Sequence, residues 1–218
     1  MTPLNEDVDA INKEISTTFV KHLDGSSITT RKYFSADTIL EHDRNSMYPT
    51  EYLNKLNLLG IPPHCLELFV GCPIMLLKNM AGGLANGTRL IVTRLMSRLI
   101  EAKVTTGPSK DQIILIPRLN HTPSNPEKMP FTLQRRQFPV RPAFAMTINK
   151  SQGQTFKHIG VFLRDSVFSH GQLYVALSRV GARDGVNIMV KNGWKESSGC
   201  SPAGVYTENI VFREVFHP

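Results

Sequence analysis

The stretch from Ala143 to Val180 constrains the fold of this 218-residue chain more than any other part of it. It contains two short motifs, the polar TINKSQGQT at residues 147–155 and YVALSR at residues 174–179, which is mostly apolar and ends on an arginine. The apolar run Ile159–Leu163 lies between them, and its length and composition predict a buried strand. The stretch therefore predicts an α/β arrangement in which apolar elements hold the two motifs in place.

A helix is predicted after this strand, over residues 169–178, with Ser169 as its N-cap. Tyr174 is predicted to lie in the core, whereas Arg179 would reach outward from the carboxyl end of the helix. Two roles for Arg179 stay open at this point. Its guanidinium can neutralise charge on a transferring phosphoryl group, or it can cap the carboxyl end of its own helix.

The first motif combines residue types that suit phosphate binding. Gly153 would let the backbone approach a phosphate closely, and Lys150 and Ser151 can donate hydrogen bonds to phosphate oxygens. The alternative is that Gly153 forms an ordinary turn. Neither motif decides between these interpretations when it is considered alone.

Together, the two motifs resemble the fifth and sixth motifs of superfamily 1 DNA helicases. They are most similar to those of the 5′-to-3′ branch with the Pif-type and RecD-like enzymes, including Helitron-carried helicases. Residues 4–12 resemble the segment that opens the second motor domain of this family, and residues 70–79 and 86–89 resemble its inserted 2B domain. One position departs from the pattern, because the family commonly has His where this chain has Asn149.

The resemblance implies an α/β fold, a RecA-like parallel-sheet domain of the P-loop NTPase type with an inserted small SH3-like β-barrel. Residues 1–66 and 141–218 would form the second RecA-like domain, and residues 67–140 the inserted 2B domain. The residue pattern of the insertion also favours a small barrel, since short strand-like runs alternate with turns. These runs lie at residues 66–70, 73–77, 88–95, 99–104 and 113–116.

Further elements follow from local patterns. Apolar residues at helical spacing predict a helix over residues 6–19, and residues 52–59 are predicted to form a helix or a one-turn segment. The polar segment 37–50 is predicted to be a loop, and residues 185–190 a core strand. A short helix is favoured over residues 143–146, with a strand as the alternative.

The positive charge of the chain is concentrated in its second half. The net charge is +7, and residues 71–191 carry 17 Lys and Arg against five Asp and Glu. A basic surface of this kind suits a polyanion such as nucleic acid. The alternative is that scattered basic residues only keep the surface solvated.

The location expected from the sequence is intracellular, with the nucleus favoured. No apolar run approaches the roughly 20 residues of a membrane span, and the acidic amino terminus does not resemble a signal peptide. The three cysteines, Cys65, Cys72 and Cys200, form no close pair, so neither a disulfide framework nor a zinc site is indicated.

The chain lacks the G-x-x-x-x-G-K-[ST] loop that cradles nucleotide phosphates. Its glycine-rich segment, AGGLANGTR at residues 81–89, has no Lys-Ser/Thr ending and lies among predicted strands. The family resemblance implies that the phosphate loop belongs to a first RecA-like motor domain. ATP and Mg²⁺ would then be bound mainly by that missing domain, and this chain would supply the second half of the motor.

The resemblance also implies roles for single residues. Arg179 would be the arginine finger on the γ-phosphate, and Gln152 and Gly153 would lie near the ATP cleft, coupling nucleotide state to the grip on DNA. The residues expected to contact the phosphates of single-stranded DNA are Thr147, Asn149, Lys150 and Ser151. Arg135 and Arg136 would touch DNA or, with slightly more support, flank the barrel, and Phe144 is expected to pack rather than to stack on a base.

The function predicted from the sequence is the C-terminal motor half of an ATP-dependent 5′-to-3′ DNA helicase. Its partners would be single-stranded DNA and a first RecA-like motor domain, normally on the same chain, with no membrane involved. The implied processes are DNA repair, recombination and telomere or genome maintenance. The alternatives are a non-catalytic nucleic-acid-binding fragment derived from a helicase or transposon, and an interaction domain without a nucleic-acid role.

Overall fold

The computed structural model describes residues 1–22, 29–40, 48–58, 60–123, 129–191, 193–195 and 203–212. The α-helices of these residues are α1 (Asn5–His22), α2 (Thr50–Lys55) and α3 (Gln172–Leu177). The first seven strands are β1 (Thr30–Phe34), β2 (Ala36–Ile39), β3 (Cys65–Phe69), β4 (Pro73–Leu76), β5 (Arg89–Leu95), β6 (Leu99–Val104) and β7 (Ile113–Pro117). The other seven are β8 (Leu119–His121), β9 (Leu133–Gln137), β10 (Val140–Pro142), β11 (Ile159–Leu163), β12 (Val186–Val190), β13 (Trp194–Lys195) and β14 (Gly204–Val205).

The chain divides into two compact units. One consists of residues 1–15 with 145–218, and the other of residues 16–144. The domain limits expected from the family, 67–140 within 1–66 and 141–218, stay a prediction. No helix in the described part of the chain is long and apolar enough to cross a membrane.

The unit of residues 16–144 is built from antiparallel sheets. The largest has five strands in the order β10–β4–β5–β6–β7, and a second has the order β2–β9–β8. In β6 the side chains of Ile100, Ala102 and Val104 are buried and alternate with Glu101 and Lys103, which are in part or fully exposed. None of the described sheets closes on itself, so the small SH3-like barrel predicted from the sequence is not confirmed.

The core of this unit is apolar, and it contains the thiol of Cys72. Burial raises the pKa of Cys72 to about 12, so its thiolate is scarce at neutral pH.

The ring of Phe144 lies 5.9 Å from that of Phe19 and 6.1 Å from that of Phe69. Phe144 therefore packs, as predicted, although the short helix favoured over residues 143–146 is wrong, because these residues are not helical.

The unit of residues 1–15 and 145–218 contains a parallel sheet. Strand β11 pairs with β12 in parallel, with Ile159 opposite Val186. The predicted strand over 159–163 is therefore confirmed. The strand predicted over 185–190 begins one residue later, but it is not the core strand expected, because Ile188 and Met189 are more than half exposed. Parallel strands require cover on their faces, and here α3 and the loop before β11 pack near the sheet.

The amino terminus adds two further rows to this sheet. Met1 donates from its amino group to Gly160 O and accepts from Phe162 N at 2.8 Å. On its other side, Thr2 N donates to Met146 O at 3.2 Å, and Ile148 N donates to Thr2 O at 3.0 Å. The parallel order is therefore Thr147, residues 1–2, β11 and β12. The strand alternative holds only for Thr147, because the backbone of Ile148 is already helical, with φ of −54° and ψ of −44°.

Helix α1 fixes the segment that leads into the first polar motif. The side chain of Asn12 accepts from Ala145 N at 2.8 Å and donates to Ala145 O at 3.4 Å. Because both backbone groups of Ala145 are held by one amide, the position of the following residues is tied to the helix. The predicted helix over 6–19 is confirmed, with one more residue at its start and three at its end.

Two other helices are shorter than the patterns predict. Helix α3 begins at Gln172 rather than at Ser169, because Gly171 before it has the left-handed φ of 69°. Helix α2 ends at Lys55, whereas the prediction ran to residue 59, which is outside the described residues. The predicted loop over 37–50 contains most of strand β2, and residues 41–47 of it also lie outside the described residues.

Candidate functional site

The first motif begins at Thr147, which pairs with Thr2, and forms a tight loop from Ile148 onward. A 3-10 helix spans Asn149–Ser151, and Ser151 Oγ donates to Ile148 O at 2.6 Å. Gly153 follows with φ of 76°, a conformation that side chains with a Cβ rarely adopt. The loop is thus a compact turn that directly follows the parallel bridge between Thr147 and Thr2.

The predicted DNA-contacting residues differ in exposure. Thr147 is 6% exposed and Ser151 is fully buried, whereas Asn149 is exposed and Lys150 is partly exposed. Asn149 and Lys150 are therefore the two that a strand could reach in this conformation. Contacts by Thr147 and Ser151 stay a prediction, as does the placing of the exposed Gln152 and Gly153 near an ATP cleft.

The start of α3 is bonded to the start of this loop through Gln172. The Gln172 side chain is 3% exposed, and its Nε2 donates to Asn149 Oδ1 at 3.2 Å. Its Oε1 accepts from Phe168 N at 3.1 Å. Sequence reasoning missed Gln172, and the available signal was an uncharged amide at the first position of an otherwise apolar helix.

The end of α3 is bonded to the end of the same loop through Arg179. Its Nε donates to Val175 O at 2.9 Å, Nη1 to Gln154 O at 3.3 Å, and Nη2 to Ser178 Oγ at 2.6 Å. The guanidinium thus caps the carboxyl end of its own helix in this structure, which is one of its two predicted roles. The role of Arg179 as a finger stays a prediction.

The two motifs therefore lie side by side and run in the same direction. Gln172 meets Asn149 at one end, and Arg179 meets Gln154 at the other. A backbone hydrogen bond from Phe156 N to Arg179 O, 2.8 Å long, strengthens the second end. The fold thus brings together two motifs that are separate in sequence, through contacts at both ends of α3.

The structure also gives the exposure of Arg135, Arg136 and Tyr174. Arg135 is 1% exposed and forms a buried ion pair with Asp37, with Nη2 2.7 Å from Oδ2, so in this structure it does not reach DNA. Arg136 is exposed beside it. The prediction that Tyr174 lies in the core is wrong, because α3 turns this side chain outward and leaves it 73% exposed.

The α/β unit with its paired motifs resembles the RecA-like part of helicases, and the solved structures that it matches are Pif1 helicases. A family model described as "DNA helicase Pif1, 2B domain" matches residues 51–95. The human ATP-dependent DNA helicase PIF1 is 33% identical over 129 residues, which cover 57% of this chain and 19% of the human protein.

Solved structures of Pif1 helicases superimpose over most of the chain. A structure of two coordinating Pif1 helicases at forked double-stranded DNA has a TM-score of 0.60 and 29% identity, covering 86% of this chain and 38% of that one. The Bacteroides Pif1 helicase in complex with ADP-AlF3 and single-stranded DNA has a TM-score of 0.60 and 26% identity, covering 86% and 39%. The predicted resemblance to the C-terminal half of Pif1-type helicases is confirmed.

The chain spans only a part of each of these relatives. It covers 19% of the human protein and less than two fifths of each solved chain, at 38% and 39%.

Proposed function

We propose that this chain is the second motor half of an ATP-dependent 5′-to-3′ DNA helicase, supplying a grip on single-stranded DNA and an arginine finger. The observation that carries the proposal is the pairing of the two motifs along α3, with Asn149 bonded at one end and Arg179 at the other. In a motor, nucleotide binding has to change the hold on the strand, so contacts to both are needed on the same domain. DNA repair, recombination and genome maintenance are the processes proposed for it.

The strand grip is proposed for the exposed edge of the first loop. Asn149 is exposed there, Lys150 is partly exposed, and residues 71–191 carry most of the positive charge. Lysine and amide nitrogens both donate to phosphate oxygens, and such contacts hold a strand without reading its sequence. We expect weak binding of single strands with little sequence preference.

The nucleotide is proposed to lie between this chain and a first motor domain. That domain would hold ATP and Mg²⁺ through its phosphate loop, and Arg179 would reach the γ-phosphate after leaving its carbonyl partners. Gln152 and Gly153 would lie beside the same cleft. The strands of residues 67–140 are proposed to correspond to the SH3-like 2B domain, which is supported by the family match over residues 51–95.

Removing the Lys150 charge is expected to weaken binding of all single strands alike. Log affinity falls with log salt by about 0.7 for each phosphate neutralised on a single strand, so Lys150→Ala should lower this slope by about that amount. Anisotropy titrations of a fluorescent oligothymidylate at several salt concentrations measure it. Lys191→Ala, an exposed lysine at the end of β12, is the matched control. An unchanged slope for Lys150→Ala would remove this residue from the DNA path.

The 218-residue chain alone is expected to hydrolyse no ATP above background. Without a phosphate loop, the β- and γ-phosphates and Mg²⁺ have no cradle, whatever the position of Arg179. A coupled ATPase assay with and without single-stranded DNA measures the turnover. Robust hydrolysis that is lost in Arg179→Ala would show that the chain binds nucleotide by a different arrangement.

A further inference from the structure

The hydrogen bonds of Gln172 fix which way its side-chain amide faces. Phe168 N is a backbone donor, so the group it reaches at 3.1 Å must be the Gln172 oxygen, Oε1. The nitrogen Nε2 then necessarily faces Asn149, 3.2 Å away. An amide nitrogen can only donate, so it requires an acceptor there.

This arrangement fixes the side chain of Asn149 in turn. Its oxygen, Oδ1, must face Gln172 to accept, and the amide nitrogen Nδ2 is therefore turned away from α3. Nδ2 makes no hydrogen bond within the described part of the chain, and Asn149 is exposed. The position thus presents N–H groups, rather than a carbonyl, beside Lys150.

We propose that Gln172 is a positioning residue that holds Asn149 as a hydrogen-bond donor toward the phosphates of a single strand. Phosphate oxygens accept and do not donate, so an Asn149 carbonyl turned outward would repel the strand, whereas the amide nitrogen attracts it. The inference rests on the proposed strand grip and names Gln172 as the residue that determines whether Asn149 presents a donor or an acceptor to the strand. Gln172, at the start of α3, thus determines that the amide nitrogen of Asn149 faces outward, although Asn149 itself lies in the loop of the first motif.

The substitution Gln172→Glu tests this directly, because it reverses the direction of the hydrogen bond to Asn149 while the side chain keeps nearly the same size. A glutamate carboxylate can only accept, so Asn149 must turn its nitrogen toward α3 and its carbonyl outward. Losing one hydrogen bond to a charged phosphate is expected to weaken oligothymidylate binding by about tenfold or more. Titrations at about pH 8.5 keep the new carboxyl group ionised.

The same substitution in an Asn149→Ala background separates amide orientation from added negative charge. If orientation is the cause, Gln172→Glu should have almost no further effect once Asn149 is gone. An equal loss of affinity in both backgrounds would show that charge alone is responsible and would overturn the proposal. Thermal unfolding of each variant identifies any loss of folded protein.

Asn149→His gives a second, independent outcome. A neutral imidazole accepts from Gln172 with one ring nitrogen and donates outward with the other, so this variant is expected to bind within about threefold of the parent chain. Asn149→Asp cannot donate at all and should lose affinity. Equal affinities for the His and Asp variants would contradict the required donor.

The outcomes distinguish this inference from the proposed function on which it rests. If the parent chain binds with a salt dependence that Lys150→Ala lowers, but Gln172 and Asn149 show no coupling, only the positioning role fails. If the parent chain shows no salt-dependent binding of oligothymidylate, the proposed strand grip fails and the positioning role fails with it.

Discussion

Replacing Arg179 with alanine is expected to reduce ATP hydrolysis by about 10³–10⁵-fold when the chain is joined to a matching first motor domain. An arginine finger stabilises charge that develops on the transferred phosphoryl group, and alanine offers neither the positive charge nor the planar fork of hydrogen-bond donors. Binding of single-stranded DNA should be preserved, since Arg179 lies at the opposite end of α3 from Asn149. Single-turnover hydrolysis and anisotropy titrations measure the two properties separately.

The competing interpretation makes a different prediction for the same variant. If Arg179 only caps α3, its loss should cost about 0.3–1 kcal/mol of stability and little activity. Arg183→Ala is the matched control, because it removes an exposed arginine four residues further along the chain. An Arg179→Ala protein that melts earlier but keeps its hydrolysis rate would decide for the cap alone.

Replacing Arg135 with alanine is expected to destabilise the unit of residues 16–144 by about 3–5 kcal/mol. The guanidinium bonds both oxygens of the buried Asp37, at 3.0 Å and 2.7 Å. It also donates to backbone carbonyl oxygens of Leu53, Leu56 and Pro62. Its loss leaves a buried carboxylate and three carbonyl groups without their partner. Chemical denaturation followed by circular dichroism measures the free energy of unfolding.

Two variants test whether the buried pair is the cause. Arg136→Ala removes the next, exposed arginine and should change stability by no more than about 0.5 kcal/mol. The double variant Asp37→Ala with Arg135→Ala should be less destabilised than the sum of the single variants, because neither charge is then left alone. Equal and small effects for Arg135→Ala and Arg136→Ala would contradict the structural role of Arg135.

The parts of the fold that depend on local pattern could be predicted from the sequence. The five apolar residues of Ile159–Leu163 form strand β11 as expected, and the helical spacing around Val8 and Ile15 matches helix α1. The two motifs also indicated the family, because their residue types recur in a fixed order. These signals are carried by neighbouring residues and need no knowledge of the tertiary structure.

The parts that depend on distant partners could not be predicted. Asp37 appears in a polar segment that suggests a loop, yet it pairs with an arginine 98 residues later and lies buried. Gln172 likewise bonds Asn149 across 23 residues. Helix α3 begins only at Gln172 because Gly171 adopts a left-handed conformation. Glycine permits this conformation but does not require it, so the sequence alone does not predict it. In the two bonded pairs, the deciding partner is absent from the local sequence.

Helix α3 has only six residues and is therefore about 9 Å long. Both ends of this helix are bonded to the same loop, through Gln172 to Asn149 and through Arg179 to Gln154. On the proposed function, the Arg179 side chain would leave Gln154 O to reach a nucleotide, while the backbone bond from Phe156 N to Arg179 O still held this end of α3 beside the loop. The side chain could then engage and release the nucleotide while the bond from Gln172 to Asn149 stayed in place at the other end.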